Sequence, residues 1–154
     1  MIIAIDGPAG SGKTTTAKKV AQKLDFMHIN TGAMYRAITL KFISNDIDLS
    51  DKSIIESTLQ NTRLDFLGNE NNLLFLDGNN VSLEIHTNLV TEKVSLISNI
   101  SAVRDKLVEY QRQMAAGRDV VLEGRDIGTV VFPKADFKFF LIADIKVRAE
   151  RRSV

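Results

Sequence analysis

Three short stretches of this chain carry residues whose types and spacing can do chemistry. The first, Gly7-Pro8-Ala9-Gly10-Ser11-Gly12-Lys13-Thr14, satisfies G-x-x-x-x-G-K-[ST] in full. It sits between an apolar run, Ile2-Ile3-Ala4-Ile5, and a stretch in which Ala17, Val20, Ala21 and Leu24 fall at i, i+3, i+4 and i+7. Strand, glycine-rich turn, helix is the context in which that pattern cradles phosphate. Gly7, Gly10 and Gly12 let backbone amides close on an anion, and the helix start adds unpaired N–H groups and a positive dipole end. Lys13 is spaced to reach the β- and γ-phosphates of a nucleoside triphosphate. Thr14 is spaced to put its hydroxyl on Mg²⁺. Thr15, next in the same turn, is counted with the loop as a triphosphate-binding residue.

The second stretch is Thr31-Gly32-Ala33-Met34-Tyr35-Arg36, which brings a hydroxyl, an aromatic and an arginine just past the run Phe26-Met27-His28-Ile29-Asn30. The third is Glu123-Gly124-Arg125-Asp126, at the end of Asp119-Val120-Val121-Leu122. Ligands of open α/β sheets bind beyond the carboxyl ends of the strands. Arg36 at such an end therefore reads as a phosphate or substrate ligand. An acid at a strand tip beside a glycine is where phosphoryl-transfer folds hold the Mg²⁺ shell. His28 alternates within its strand and reads as structural, since nothing near it in sequence is a catalytic partner.

The elements that must position these residues follow from periodicity and punctuation. Strands are expected at residues 2–6, 26–30, 119–123 and 137–142, and a helix at 12–24. Strand, helix, strand at this spacing is a right-handed unit and makes the sheet parallel. Thr31 can cap a helix to about residue 43, and Ser50 one over 51–60. Then the pattern changes. Residues 62–67, 73–76 and 81–83 read as extended runs, separated by Gly68-Asn69-Glu70-Asn71-Asn72 and by a turn, Asp77-Gly78-Asn79-Asn80. Such runs make an antiparallel meander outside the parallel sheet. Helices are expected at 86–98 and from Ser101 to the breaker Gly117, the latter carrying Arg104 beside its apolar stripe. Asp144 can cap a last helix with Arg148 and Arg152 at i, i+4, leaving Arg151 off that line.

Composition narrows the class. The chain has 154 residues, enough for one domain with a real core, with 44% hydrophobic and 25% charged residues. A net charge of +1 gives no electrostatic case for nucleic acid or membrane as the main partner. There is no cysteine, hence no disulfide, cysteine nucleophile or thiolate metal site, which is compatible with the cytoplasm. The first apolar run is too short for a signal peptide or a membrane span.

Taken in order, Ile5-Asp6-Gly7-Pro8-Ala9-Gly10-Ser11-Gly12-Lys13, Thr31-Gly32-Ala33-Met34-Tyr35-Arg36 and Gly124-Arg125-Asp126-Ile127-Gly128-Thr129-Val130-Val131-Phe132-Pro133 resemble the bacterial cytidylate kinases over essentially the whole chain. The resemblance implies an α/β fold. A parallel phosphate-loop sheet flanked by helices makes a core of residues 1–30 and 101–154, with an inserted antiparallel monophosphate-binding subdomain at about 31–100. It implies an ATP- and Mg²⁺-dependent monomer phosphorylating CMP or dCMP in the cytoplasm. ATP would be held by residues 7–15, namely Gly7, Pro8, Ala9, Gly10, Ser11, Gly12, Lys13, Thr14 and Thr15, together with Arg148 and Arg152. CMP would be held by Thr31, Tyr35, Arg36, Ser95, Arg104, Gly124, Arg125 and Asp126. Arg36 would lie on the CMP phosphate, Ser95 and Arg104 near the cytosine, and Lys13 and Arg125 would be catalytic. Thr14, and Glu123 through water, would hold the metal.

The sequence also departs from that family. Glu123 stands where aspartate is frequent, and His86 where arginine is. After Arg151-Arg152-Ser153-Val154 the chain supplies no lid, fifth strand or closing helix, which suggests a fragment and leaves Phe137-Lys138-Phe139-Phe140-Leu141-Ile142 as an apolar sheet edge. Other small-molecule phosphate-loop kinases, acting on adenylate or shikimate, are disfavoured by the meander and by Gly124-Arg125-Asp126. No Asn-Lys-x-Asp supports a GTPase, and a non-catalytic nucleotide-binding module is the reading from a different class.

Overall fold

Ile2-Ile3-Ala4-Ile5 has no polar side to offer water, so it needs a strand on each flank and a layer above. The computed structural model, which describes residues 1–67 and 73–153, provides both. Strand β1 (Ile2–Asp6) leads through the glycine loop into α1 (Lys13–Leu24) and then β2 (Met27–Asn30). The chain continues through α2 (Thr31–Ser44), α3 (Lys52–Gln60), β3 (Leu64–Leu67), β4 (Leu73–Leu76), β5 (Asn79–Asn80), α4 (Asn88–Ser98) and α5 (Ser101–Ala115). It ends with β6 (Val120–Gly124), β7 (Phe137–Phe140) and α6 (Ile145–Ser153). Two compact units result, Met1–Thr31 with Gln111–Val154, and Gly32–Tyr110.

The first unit is a four-stranded parallel sheet in the order β2-β6-β1-β7. Ala17 and Ala21 of α1 bury against Ile3, Ile5 and Val121, with Val20, Phe26 and Leu141 at the margin. The short alanines let the helix approach closely, so its start sits where β1 ends. Val120, Val121 and Leu122 are wholly buried, as strands covered on both faces require. β7 is one edge of this sheet, β2 being the other, and Phe137, Phe139 and Phe140 on it are exposed, so the apolar edge expected from sequence is present. Leu141 and Ile142, read from sequence as part of that strand, lie beyond it.

One loop of this unit is built by side chains. Ile127–Val131 is a single wide turn, closed by Phe132 N donating to Ile127 O at 2.7 Å. A lone turn leaves unpaired N–H groups at its start and carbonyls at its end. The buried Asp6 carboxylate accepts from Ile127 N at 2.9 Å and Gly128 N at 2.8 Å. The Arg112 guanidinium donates to Val131 O at 3.0 Å and Val130 O at 3.1 Å. An acid at one end and a guanidinium at the other thus hold the segment that follows Arg125 and Asp126.

The second unit carries the antiparallel meander β3-β4-β5. Its third strand is Asn79–Asn80, not the run 81–83 expected from sequence. The turn is two residues, Asp77-Gly78, both with positive φ (50° and 84°), which is the tight hairpin turn that an Asp-Gly pair favours. The segment 68–72, read as the preceding turn, lies outside the described residues. The cap of α3 is Asp51, whose carboxylate accepts from Ile54 N at 3.1 Å, whereas Ser50 donates to Asp48. The helix expected from residue 86 is interrupted. A 3₁₀ turn, Glu84–His86, ends at Thr87, whose extended ψ of 156° restarts the chain as α4.

Replacing Asp6 by alanine orphans two buried N–H groups, at about 1–3 kcal/mol each. We expect Asp6→Ala to lower the unfolding free energy by about 2–5 kcal/mol in urea titrations, and Asp6→Asn, which keeps one acceptor oxygen, to cost less.

Candidate functional site

The glycine loop has the backbone that the motif calls for. Gly7, Gly10 and Gly12 have φ of 150°, 76° and 93°, and a Cβ on Gly7 would stand 2.2 Å from the Leu141 carbonyl oxygen. The turn is thus held to glycine by conformation and by contact. Within it, Ser11 Oγ is buried with no hydrogen-bond partner. A buried hydroxyl left unsatisfied is a donor waiting for an acceptor. Lys13 Nζ lies 2.8 Å from Pro8 O, curled over the same loop. Burial pushes the Lys13 ammonium below its ordinary range, Glu123 acts against that, and Arg125 and Arg148 add to it. These features fit a bound polyphosphate, whose negative charge would relieve the cost of the half-buried cation.

Thr14 begins the pairing that links this loop to the sheet. Its hydroxyl donates to Glu123 Oε2 at 2.7 Å. With its proton committed there, the oxygen keeps its lone pairs for a hard cation, the donor chemistry that Mg²⁺ takes. Glu123 is itself buried, on the tip of β6. Thr31, expected from sequence as a helix cap, is instead the first residue of α2, and its hydroxyl donates to the Glu123 carbonyl at 2.7 Å. Gly124 has no room for a side chain, because a Cβ would meet Thr31 Oγ1 at 2.6 Å and Ile127 at 2.7 Å. Arg125 is exposed and Asp126 half-buried, on the loop anchored by Asp6.

α6 supplies two arginines to the loop's carbonyls. Arg148 Nε donates to Ala9 O at 2.8 Å, and Arg151 Nη1 to Gly10 O at 3.0 Å. The sequence reading paired Arg148 with Arg152. Among the described residues it is the i, i+3 neighbour Arg151 that reaches the loop, since residues three apart also share a helix face. Two further contacts at the strand ends were not read from sequence. Asp6 carries no motif of its own. His28, read as structural, places Nε2 2.9 Å from Glu123 Oε1, a partner 95 positions away that only strand pairing reveals.

The other predicted ligands lie in the second unit. Arg36, on α2, donates through Nη1 to Thr91 Oγ1 at 2.9 Å and Ile85 O at 3.2 Å, and burial pushes its guanidinium down. Thr91 and Ser95 are four apart on α4, so they share a face, and Ser95 is exposed. Tyr35 is half-buried on α2, and Arg104 is exposed on α5. Among the described residues no three His, Cys, Asp or Glu converge as a metal cluster, and no helix is long and apolar enough to cross a membrane.

His86 stands beside this arginine. Burial, and then the Arg36 charge, push its imidazole below the ordinary value of 6.5. The unfolded chain therefore binds a proton that the folded chain excludes, so stability is intact above 6.5 and falls as pH drops through the folded value. We expect His86→Gln to flatten the acid side of a plot of urea midpoint against pH.

Residues 3–154 match the family described as cytidylate kinase. The chain is 52% identical over 155 residues to the cytidylate kinase of Chloroherpeton thalassium, covering 99% of this chain and 65% of that one. It is 51% identical over 150 residues to that of Caldanaerobacter subterraneus subsp. tengcongensis (97% and 66%), and 44% identical over 153 residues to that of Lactobacillus johnsonii (99% and 66%). It thus spans about two thirds of the length of the curated relatives it matches.

Proposed function

Because the chain belongs to the cytidylate kinase family, we propose that it transfers the γ-phosphoryl group of ATP to CMP or dCMP, giving ADP and CDP or dCDP. The observation that carries this reading in the structure is the glycine loop. A buried, unpartnered hydroxyl (Ser11), a half-buried cation (Lys13) and a hydroxyl turned onto a buried acid (Thr14 on Glu123) lie within four successive residues of that loop. The first two are costly alone, and all three would be met by a metal-bound triphosphate.

The acceptor is a phosphate oxygen of the monophosphate, already ionised, so no strong general base is needed. A new bond forms between that oxygen and the γ-phosphorus as the bond to the departing ADP oxygen breaks. Catalysis is then positioning and charge neutralisation. The loop amides and Ser11 orient the β- and γ-phosphates, and Lys13 lengthens its reach from Pro8 O to their oxygens. Arg125 meets charge on the transferred group. Mg²⁺, when bound with ATP, would neutralise the β- and γ-oxygens, held by Thr14 directly and by Glu123 through water. Arg148 and Arg151 fix the loop from α6, and Arg152 is the further ATP-side arginine of the family resemblance. On the acceptor side, the family resemblance puts Arg36 on the CMP phosphate and makes Thr31, Tyr35, Ser95, Arg104, Gly124 and Asp126 its further CMP ligands. The protein is read as a cytoplasmic monomer acting on small nucleotides.

The test is an ADP-release assay with Mg²⁺·ATP and, side by side, CMP, dCMP, UMP and AMP, on this chain and on one of the relatives' full length. Turnover on CMP and dCMP is the expected result. ATP binding without turnover on any of the four by the longer chain would instead favour a non-catalytic nucleotide binder. Lys13→Ala should reduce turnover by orders of magnitude with the melting temperature nearly unchanged. A loss smaller than about tenfold, roughly 1.4 kcal/mol in barrier, would remove Lys13 from the catalytic set.

A further inference from the structure

His28 and Glu123 are brought together by register. β2 and β6 pair in parallel with Asn30 opposite Glu123 and His28 opposite Val121. Side chains two apart on a strand share a face, so His28 and Glu123 are diagonal neighbours on one face of the sheet. His28 Nε2 comes within 2.9 Å of Glu123 Oε1, with both side chains 4% exposed. An ionised carboxylate only accepts, so Nε2–H is the donor.

The two oxygens of Glu123 are therefore divided between two donors from different elements. Oε1 accepts from His28 on β2, and Oε2 accepts from Thr14 on α1 at 2.7 Å. A glutamate has three side-chain torsions, one more than an aspartate, and a strand tip fixes none of them. With both oxygens engaged, the carboxylate has one orientation, and that orientation decides which way the Thr14 hydroxyl points. A proton given to Oε2 leaves the Thr14 lone pairs for a cation. If Oε1 were released, the carboxylate could turn and carry the Thr14 hydroxyl with it.

We propose that His28 is a positioning residue for the nucleotide-bound metal: by donating to Glu123 it holds that carboxylate, and through it the Thr14 hydroxyl, in the orientation that receives Mg²⁺ with ATP. The inference rests on the reading of Thr14 and Glu123 as the metal-facing groups. It assigns His28 neither contact with a nucleotide nor proton transfer.

The experiment is calorimetric titration of ATP into the protein with and without Mg²⁺, for the wild type, His28→Leu and His28→Gln, with melting temperatures recorded in parallel. Leucine fills similar space and cannot donate, whereas glutamine keeps an N–H at comparable reach. We expect His28→Leu to reduce the Mg²⁺-dependent gain in ATP affinity by about tenfold or more, the scale seen when a group that orients metal ligands is lost. Metal-free ATP affinity should be little changed, and His28→Gln should restore most of the gain. In a Glu123→Gln background, His28→Leu should have little further effect, because the two act as one unit. An unchanged Mg²⁺-dependent gain in His28→Leu, or a glutamine variant as impaired as the leucine one, would overturn the inference and leave the functional reading standing. A wild type that binds ATP no better with Mg²⁺ would overturn that reading and the inference with it.

Discussion

Two carboxylates, Asp6 and Glu123, end adjacent strands of the sheet inside the protein, and a buried carboxylate without donors is among the costliest groups a fold can hold. Much of the architecture at the carboxyl ends of β1 and β6 follows from meeting that demand. Asp6 draws in the amides of Ile127 and Gly128 and so sets the course of the loop after Gly124. Glu123 draws in Thr14 from α1 and His28 from β2. Its own carbonyl takes the Thr31 hydroxyl, where α2 begins. The acids thus tie together strand ends and helix starts that share no sequence neighbourhood.

The same economy governs the glycine loop. Its three glycines adopt φ values that side chains disfavour, and the carbonyls of Pro8, Ala9 and Gly10 accept from Lys13, Arg148 and Arg151 respectively. Carbonyls that accept from cations offset the positive charge gathered at the loop. Ser11 Oγ is the group this arrangement leaves without a partner, and Lys13 the charge it leaves short of solvent.

A different solution holds the second unit. Its meander turns on Asp77-Gly78, and the Asp77 carboxylate takes both Arg63 N and Lys41 Nζ, so one acid fixes the turn, the strand start and α2. Arg36, half-buried on the same helix, spends Nη1 on Thr91 and Ile85. That leaves the rest of a forked cation for an acceptor phosphate in the proposed reaction.

The sequence alone determined the phosphate loop, the parallel strand–helix–strand order, the meander and the family, because each rests on local pattern: glycine spacing, apolar period and turn residues. Local pattern also misled where neighbours competed. Asp51 displaced Ser50 as a cap because it sits one residue nearer the helix start, and Asp77-Gly78 closed a two-residue hairpin where four residues were read as a turn. Tertiary structure alone decided the pairings of His28 with Glu123, of Asp6 with the 127–131 turn and of Arg151 with Gly10. No single-sequence signal marks them, since partners more than 90 positions apart are chosen by strand register and helix docking, and by the need of each buried charge for a donor.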